Sequence, residues 1–293
     1  SNDFHTAATA GSWKSTYQGG LADGYICRFL NSGAYPLQKA TFIGTSAYDQ
    51  CYGIQTDLEN GIYAMGQTLG SFPVSAGVYS NPGSRQFLVK LDTMLTTAAY
   101  STVFGSGPAT VPNISPIAFL VDTCQNVYIS GWGGGITPGS STNNLPITGD
   151  AFQPTTDGND FYFIVFSKNA INLLFGSYFG SPVKSEHVDG GTSRFDPDGV
   201  VYQAICASCA DVNTPQSSSF PATPGAYSAT KGSPGTNCNL GALKIAFNLG
   251  SVDAEAQATP NTSGCAPLTV NFGNTSTNAT SYFWDFDDGT PTS

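Results

Sequence analysis

The chain has 293 residues, of which 40% are hydrophobic and only 10% charged, with a formal net charge of −10. That apolar content suffices for more than one buried core. Ten Lys and Arg against twenty Asp and Glu argue against nucleic acid, whose phosphates need clustered cations, and no apolar run nears the ~20 residues that cross a bilayer.

Read in chain order, strand signals recur in a fixed sequence. Phe4 and Trp13 open the chain as a degenerate copy of a phrase met again later. The apolar run Gly24–Phe29 follows, closed by the polar turn Leu30-Asn-Ser-Gly33, and the next run ends in Thr41-Phe-Ile-Gly44. A third run reaches the turn Asp57-Leu-Glu-Asn-Gly-Ile-Tyr63, a fourth leaves it through Ile62-Tyr-Ala-Met65, and Phe72-Pro73 with Tyr79 completes the unit. The order repeats as Phe87–Leu91, Thr102-Val-Phe-Gly105, Asp122-Thr-Cys-Gln-Asn-Val-Tyr128 and Leu145-Pro146 with Phe152. It repeats again as Phe161–Phe166, Ser177-Tyr-Phe-Gly180, Asp196-Pro-Asp-Gly-Val-Val-Tyr202 and Phe220-Pro221 with Tyr227. Gly241–Phe247 begins a further copy.

A long period of this kind means one supersecondary unit stacked repeatedly. The Asp side chain caps backbone N–H groups in a tight hairpin, where Gly or Asn accepts positive φ. Four short strands per unit, rich in β-branched and aromatic residues, predict an all-β fold of four-stranded antiparallel propeller blades over residues 1–252. A β-solenoid is the alternative, although its coils are shorter and need no second kind of hairpin turn.

Phe87–Leu91, Tyr100-Ser-Thr-Val-Phe-Gly105, Asp57–Tyr63 with Gly66-Gln-Thr68, and Phe72-Pro73 resemble the bacterial β-propeller repeat family (the SBBP type). The copies depart from that pattern at Trp132 and Cys206, which stand where the first copy has Gln67, and at Ile205, which replaces Gly66. The resemblance implies blades and no fixed activity. With three to four units present, the N-terminal part of the propeller is expected to lie before Ser1.

After Val252 the register breaks into the small-residue stretch Ala254–Pro260. Leu268, Val270 and Phe272 then alternate as in a strand, and the chain closes with Trp284-Asp-Phe-Asp-Asp-Gly-Thr290. This phrase is similar to the signature of the polycystic-kidney-disease (PKD) domain, an immunoglobulin-like sandwich, with Asp287 where that family usually has Gly. Residues 253–293 are thereby expected to be the first half of such a domain, with Trp284 and Phe286 in its core and Asp288-Gly289 in a hairpin turn.

Chemistry-bearing residues are few. Asp285, Asp287 and Asp288 offer an oxygen-rich set suited to calcium, or else one caps the turn and the others are solvated. Glu186, His187, Asp189 and Arg194 could line a polar rim able to contact a ligand, or form a loop held by local hydrogen bonds. Trp132, beside three glycines in an expected turn, is a candidate stacking platform for sugar, whereas most other aromatics alternate as core. His5 has no assigned role. Cys206-Ala-Ser-Cys209 suits a structural disulfide or buried thiols, a metal site, or redox chemistry; the seven cysteines leave the pairing open. No nucleophile elbow, zinc-protease helix motif or phosphate loop occurs.

Propeller repeats followed by a PKD module resemble the large surface proteins of gliding Bacteroidetes that are exported by type IX secretion. The resemblance implies a non-catalytic extracellular or cell-surface module for adhesion. Its expected partners are other domains of the same polypeptide and cell-surface proteins or glycans. Two other roles fit the composition: an accessory region of a secreted polysaccharide-degrading enzyme, and a structural subunit of an extracellular filament.

Overall fold

A computed structural model describes residues 8–135, 138–188, 194–196, 199–209, 220–229, 238–247, 255–259, 263, 265, 267–276 and 283–286, with backbone only at 208–209. It falls into two compact units, Ser1–Ala246 and Phe247–Ser293. Among the described residues no helix is long and apolar enough to cross a membrane.

The first unit is a succession of antiparallel sheets. β1 (Gly24–Phe29) and β2 (Leu37–Ile43) form a two-stranded sheet. β3 (Asp49–Thr56), β4 (Ile62–Thr68), β5 (Gln86–Leu91) and β6 (Ala98–Phe104) form a four-stranded sheet in chain order. β7 (Ile114–Val121), β8 (Val127–Gly133), β9 (Phe161–Phe166) and β10 (Leu173–Phe179) repeat that order. In the last sheet, β13 (Val200–Cys209) pairs on one side with β14 (Asn239–Ala246) and on the other with two short pieces, β11 (Ser185–His187) and β12 (Arg194–Phe195).

These sheets are out of phase with the sequence units. Each four-stranded sheet takes the third and fourth strands of one sequence unit and the first and second of the next, because the Asp turn and the apolar run after it are neighbours in a continuous meander. The Asp turn itself is the same object in all three copies. Asp57 N–H donates to Gly61 O at 3.2 Å, Asp122 N–H to Asn126 O at 3.0 Å and Asp196 N–H to Val200 O at 2.9 Å. The carboxylate then caps the fourth following N–H, at Gly61 (2.7 Å), Asn126 (2.8 Å) and Val200 (2.9 Å). The residue between takes the left-handed region in each copy: Asn60 at φ 64°, Gln125 at φ 65° and Gly199 at φ 79°.

Both faces of the sheet β3–β6 are covered. Ile62, Ala64, Phe87, Val89, Leu91 and Val103 pack with Ile26 and Ile43 of the first sheet. Tyr63, Met65, Leu88, Tyr100 and Phe104 pack with Ile114, Ile129, Tyr162, Ile164 and Phe166 of the next. That two-sided burial is why β5 (QFLVKL) and β9 (FYFIVF) are buried at every position instead of alternating. Full burial of each large side chain contributes about 1.5–3 kcal/mol. Loops tie neighbouring sheets by backbone hydrogen bonds: Trp13 N–H donates to Leu95 O and Tyr79 N–H to Ala170 O, both at 2.7 Å.

The second unit contains β15 (Ala256–Thr259) paired antiparallel with β16 (Asn271–Asn274). Phe272 meets Phe286 at 5.0 Å and Trp284 at 6.3 Å, and Trp284 stacks on Phe286 at 6.1 Å, but Phe272 and Phe286 are exposed, so these aromatics touch without forming the buried core expected of them.

Candidate functional site

The sheet β7–β10 and the final sheet meet along a seam that gathers the chemistry-bearing side chains. Trp132 lies in β8, paired with Ser115 of β7 and Phe161 of β9, so it is a strand residue and not the turn residue expected. The strand extends through Gly133 because Gly133 N–H continues the ladder to Asp160 O at 3.1 Å. The half-exposed Trp132 ring meets the His187 imidazole with centroids 5.8 Å apart and planes at 53°. His187 ends β11 opposite Cys206.

Glu186, at a register shift within β11, is 1% exposed. Its N–H donates to Asn159 O at 3.2 Å, and its carboxylate accepts the Ser181 N–H at 3.1 Å. Arg194 sits elsewhere: it pairs with Tyr202, four positions along β13 from Cys206, which is roughly 13 Å of strand. The seam therefore sets His187 against Trp132, with Glu186 buried against Asn159 and Ser181, and leaves Arg194 apart. Asp189 lies outside the described residues, as do Asp287 and Asp288; Asp285 is exposed in the second unit.

Sequence spacing did not reveal two further groups. The ligand atoms of His187, Cys206 and Cys238 lie within 4.8 Å of one another. Cys238 is disulfide-bonded, and a disulfide sulfur is not a thiolate donor, so in this state only two of the three can ligate. No motif spacing connects these residues, which come from the end of β11, the interior of β13 and the position just before β14.

Asp160 is the second group. It is fully buried, with neither carboxylate oxygen hydrogen-bonded. Burial pushes its carboxyl up to about 6, partly opposed by Thr156 and Gln153 nearby. Those neighbours are engaged elsewhere: Thr156 Oγ1 with Thr142 Oγ1 at 2.7 Å, and Gln153 Oε1 with Gly180 N–H at 3.1 Å. A signal for Asp160 existed in the sequence, since Asp23 likewise stands directly before the apolar run of its own repeat.

A separate open cavity of about 530 Å³ lies over the loop before β7 and the loop after β8. Its polar lining comes from Ser106, Thr110, Asn113, Ser141, Asn143 and Asn144, with no charged side chain. Hydroxyls and carboxamides of this kind match a neutral, hydroxyl-rich ligand better than an ion.

No family model matches the chain, and no curated protein matches it either.

Proposed function

We propose that this chain is a non-catalytic extracellular module whose stacked sheets are blades of a β-propeller and whose second unit begins a PKD domain. On this reading it belongs to a large type IX-secreted surface protein and serves adhesion, contacting cell-surface proteins or glycans. The observation that carries the reading is the repeated sheet. One Asp-capped turn, one strand order and two-sided apolar burial recur along the first unit, as blades packed face to face require. The ring contacts among Phe272, Trp284 and Phe286 support the PKD assignment.

Glycan contact is favoured by two features: the half-exposed Trp132 face beside His187, and the uncharged cavity lined by Asn, Ser and Thr. The test is a glycan array probed with the wild-type chain, Trp132→Ala and Asn143→Ala. Specific binding weakened at least tenfold by either substitution supports the reading. Turnover of any polysaccharide by the purified chain overturns it, and equal signals from all three proteins remove both surfaces from the argument.

A further inference from the structure

The end of the second apolar strand is built alike in three repeats, and the differences between copies identify a binding site. Gly44, Gly105 and Gly180 follow Ile43, Phe104 and Phe179, which pair with Gly24, Gln86 and Phe161 respectively. The N–H after each glycine is accepted by a side chain at the start of the next sheet: Thr45 by Asp49 (2.7 Å), Ser106 by Asn113 (3.1 Å) and Ser181 by Glu186 (3.1 Å). A second polar side chain closes on each glycine from the neighbouring strand. It is Asp23 at Gly44, Gln86 at Gly105 and Asp160 at Gly180.

The charge balance differs from copy to copy. In the first repeat the Asp23 and Asp49 carboxylates are accompanied by Lys14, whose ammonium donates to Gly44 O and is drawn by both acids. In the second repeat Gln86 and Asn113 are carboxamides, so no charge needs an answer. In the third, a methyl placed on Gly180 would lie 2.2 Å from Asp160 Oδ1 and 2.5 Å from Glu186 Oε2, so the two oxygens are at most 4.7 Å apart. Asp160 is completely buried, neither of its oxygens is hydrogen-bonded, and no described cation pairs with it. An ionised carboxylate in such a place calls for a positive charge where the first repeat supplies Lys14.

We propose that Asp160 and Glu186 hold a calcium ion at the Gly180 corner, where the Gln153 and Thr156 side chains next to Asp160 offer further oxygen donors. The donors are all hard oxygens, which favours calcium over zinc or copper. The ion would link the end of β10 to β11 and so fasten the final sheet to its neighbour, close behind Trp132 and His187.

The experiment measures calcium stoichiometry by flow dialysis on the whole chain, with thermal unfolding in calcium and in EGTA. Wild type, Asp160→Asn, Glu186→Gln and Asp285→Asn are compared. The proposal expects one calcium equivalent to disappear in Asp160→Asn and Glu186→Gln and to remain in Asp285→Asn. It also expects a calcium-dependent rise in Tm that Asp160→Asn loses. Because wild-type binding is measured directly, misfolding of a variant does not protect the idea. Absence of bound calcium in the wild type overturns it, as does an unchanged stoichiometry in folded Asp160→Asn. A wild type indifferent to calcium but stabilised between pH 8 and pH 5 would mean that the two acids share a proton instead.

Discussion

The Tyr63 hydroxyl donates to Asp57 Oδ2 at 3.0 Å, and six residues is the spacing that brings the two ends of the turn together. Tyr128 repeats the contact with Asp122 at 3.1 Å. Asp57 Oδ2 also pairs with Lys90 Nζ at 2.7 Å, and that ammonium lies 4.9 Å above the Tyr63 ring and 3.1 Å from Gln125 Oε1 of the adjoining sheet. One carboxylate thus closes its own turn, holds a tyrosine and anchors a cation that reaches the next sheet.

Removing one donor from this hub should cost less than removing its acceptor. Tyr63→Phe deletes a single hydrogen bond to a charged group, for about 1.5–3 kcal/mol. Asp57→Ala strands the buried Lys90 ammonium and should cost about 3–5 kcal/mol. Equilibrium urea unfolding of the whole chain checks the order; equal losses would show that the charge is not held as described.

The same carboxylate sets an acid limb. Burial would raise the Asp57 carboxyl, but hydrogen bonds from Lys90, Gly61 and Tyr63 outweigh it and hold the group below the usual range. Its stabilisation is therefore fully present above the unfolded-state value of about 3.9 and is lost as pH falls through the lower folded value. Stability measured from pH 6 down to pH 2 should drop more steeply in wild type than in Tyr63→Phe.

Gly66 faces Phe87, Gly131 faces Tyr162, and in the last sheet the order is reversed, with Ile205 facing Gly241. One large and one absent side chain fill each place, which accounts for the departure of the third repeat at Ile205. A methyl on Gly66 would lie 1.9 Å from the Gln50 carbonyl oxygen, whereas one on Gly241 would meet Ile205 Cγ1 at 2.8 Å. Gly66→Ala should destabilise near the upper end of the ~1–3 kcal/mol range for overpacking, and Gly241→Ala less. Ile205→Ala, which removes Cγ1, should recover part of the Gly241→Ala loss in a double-mutant cycle, and strict additivity would contradict the contact.

Thiol reactivity should separate the cysteines. Burial, with Asp49 close by, pushes the Cys51 thiol up to about 12, while Cys124 is exposed. At pH 8 a maleimide should label Cys124 quickly and Cys51 only on unfolding, because the thiolate is the reactive form. Peptide mapping after timed labelling reads the difference.

The Asp turn was legible because its chemistry is local: Asp57, Asn60 and Gly61 make the hairpin by themselves, and the copies at Asp122 and Asp196 repeat it. The strand order was legible from the apolar runs, but the grouping of strands into sheets was not. Pairing across Phe72–Ser84 depends on the ladder between β4 and β5, which no local signal encodes. The seam at Trp132 was half legible. His187 and Glu186 stood out by residue type, yet their meeting with Trp132 and Asp160 arises from two sheets packing, and Arg194 was grouped with them only because it is near in sequence.

The central claim is that recurring four-stranded sheets fan around a common axis. An experimental structure of the chain, by crystallography or by electron microscopy of a fiducial-bound complex, tests it most directly. The account expects successive sheets related by rotations about one axis, with equivalent strands at equal radius. Sheets stacked by translation along a fibre-like rod would contradict it.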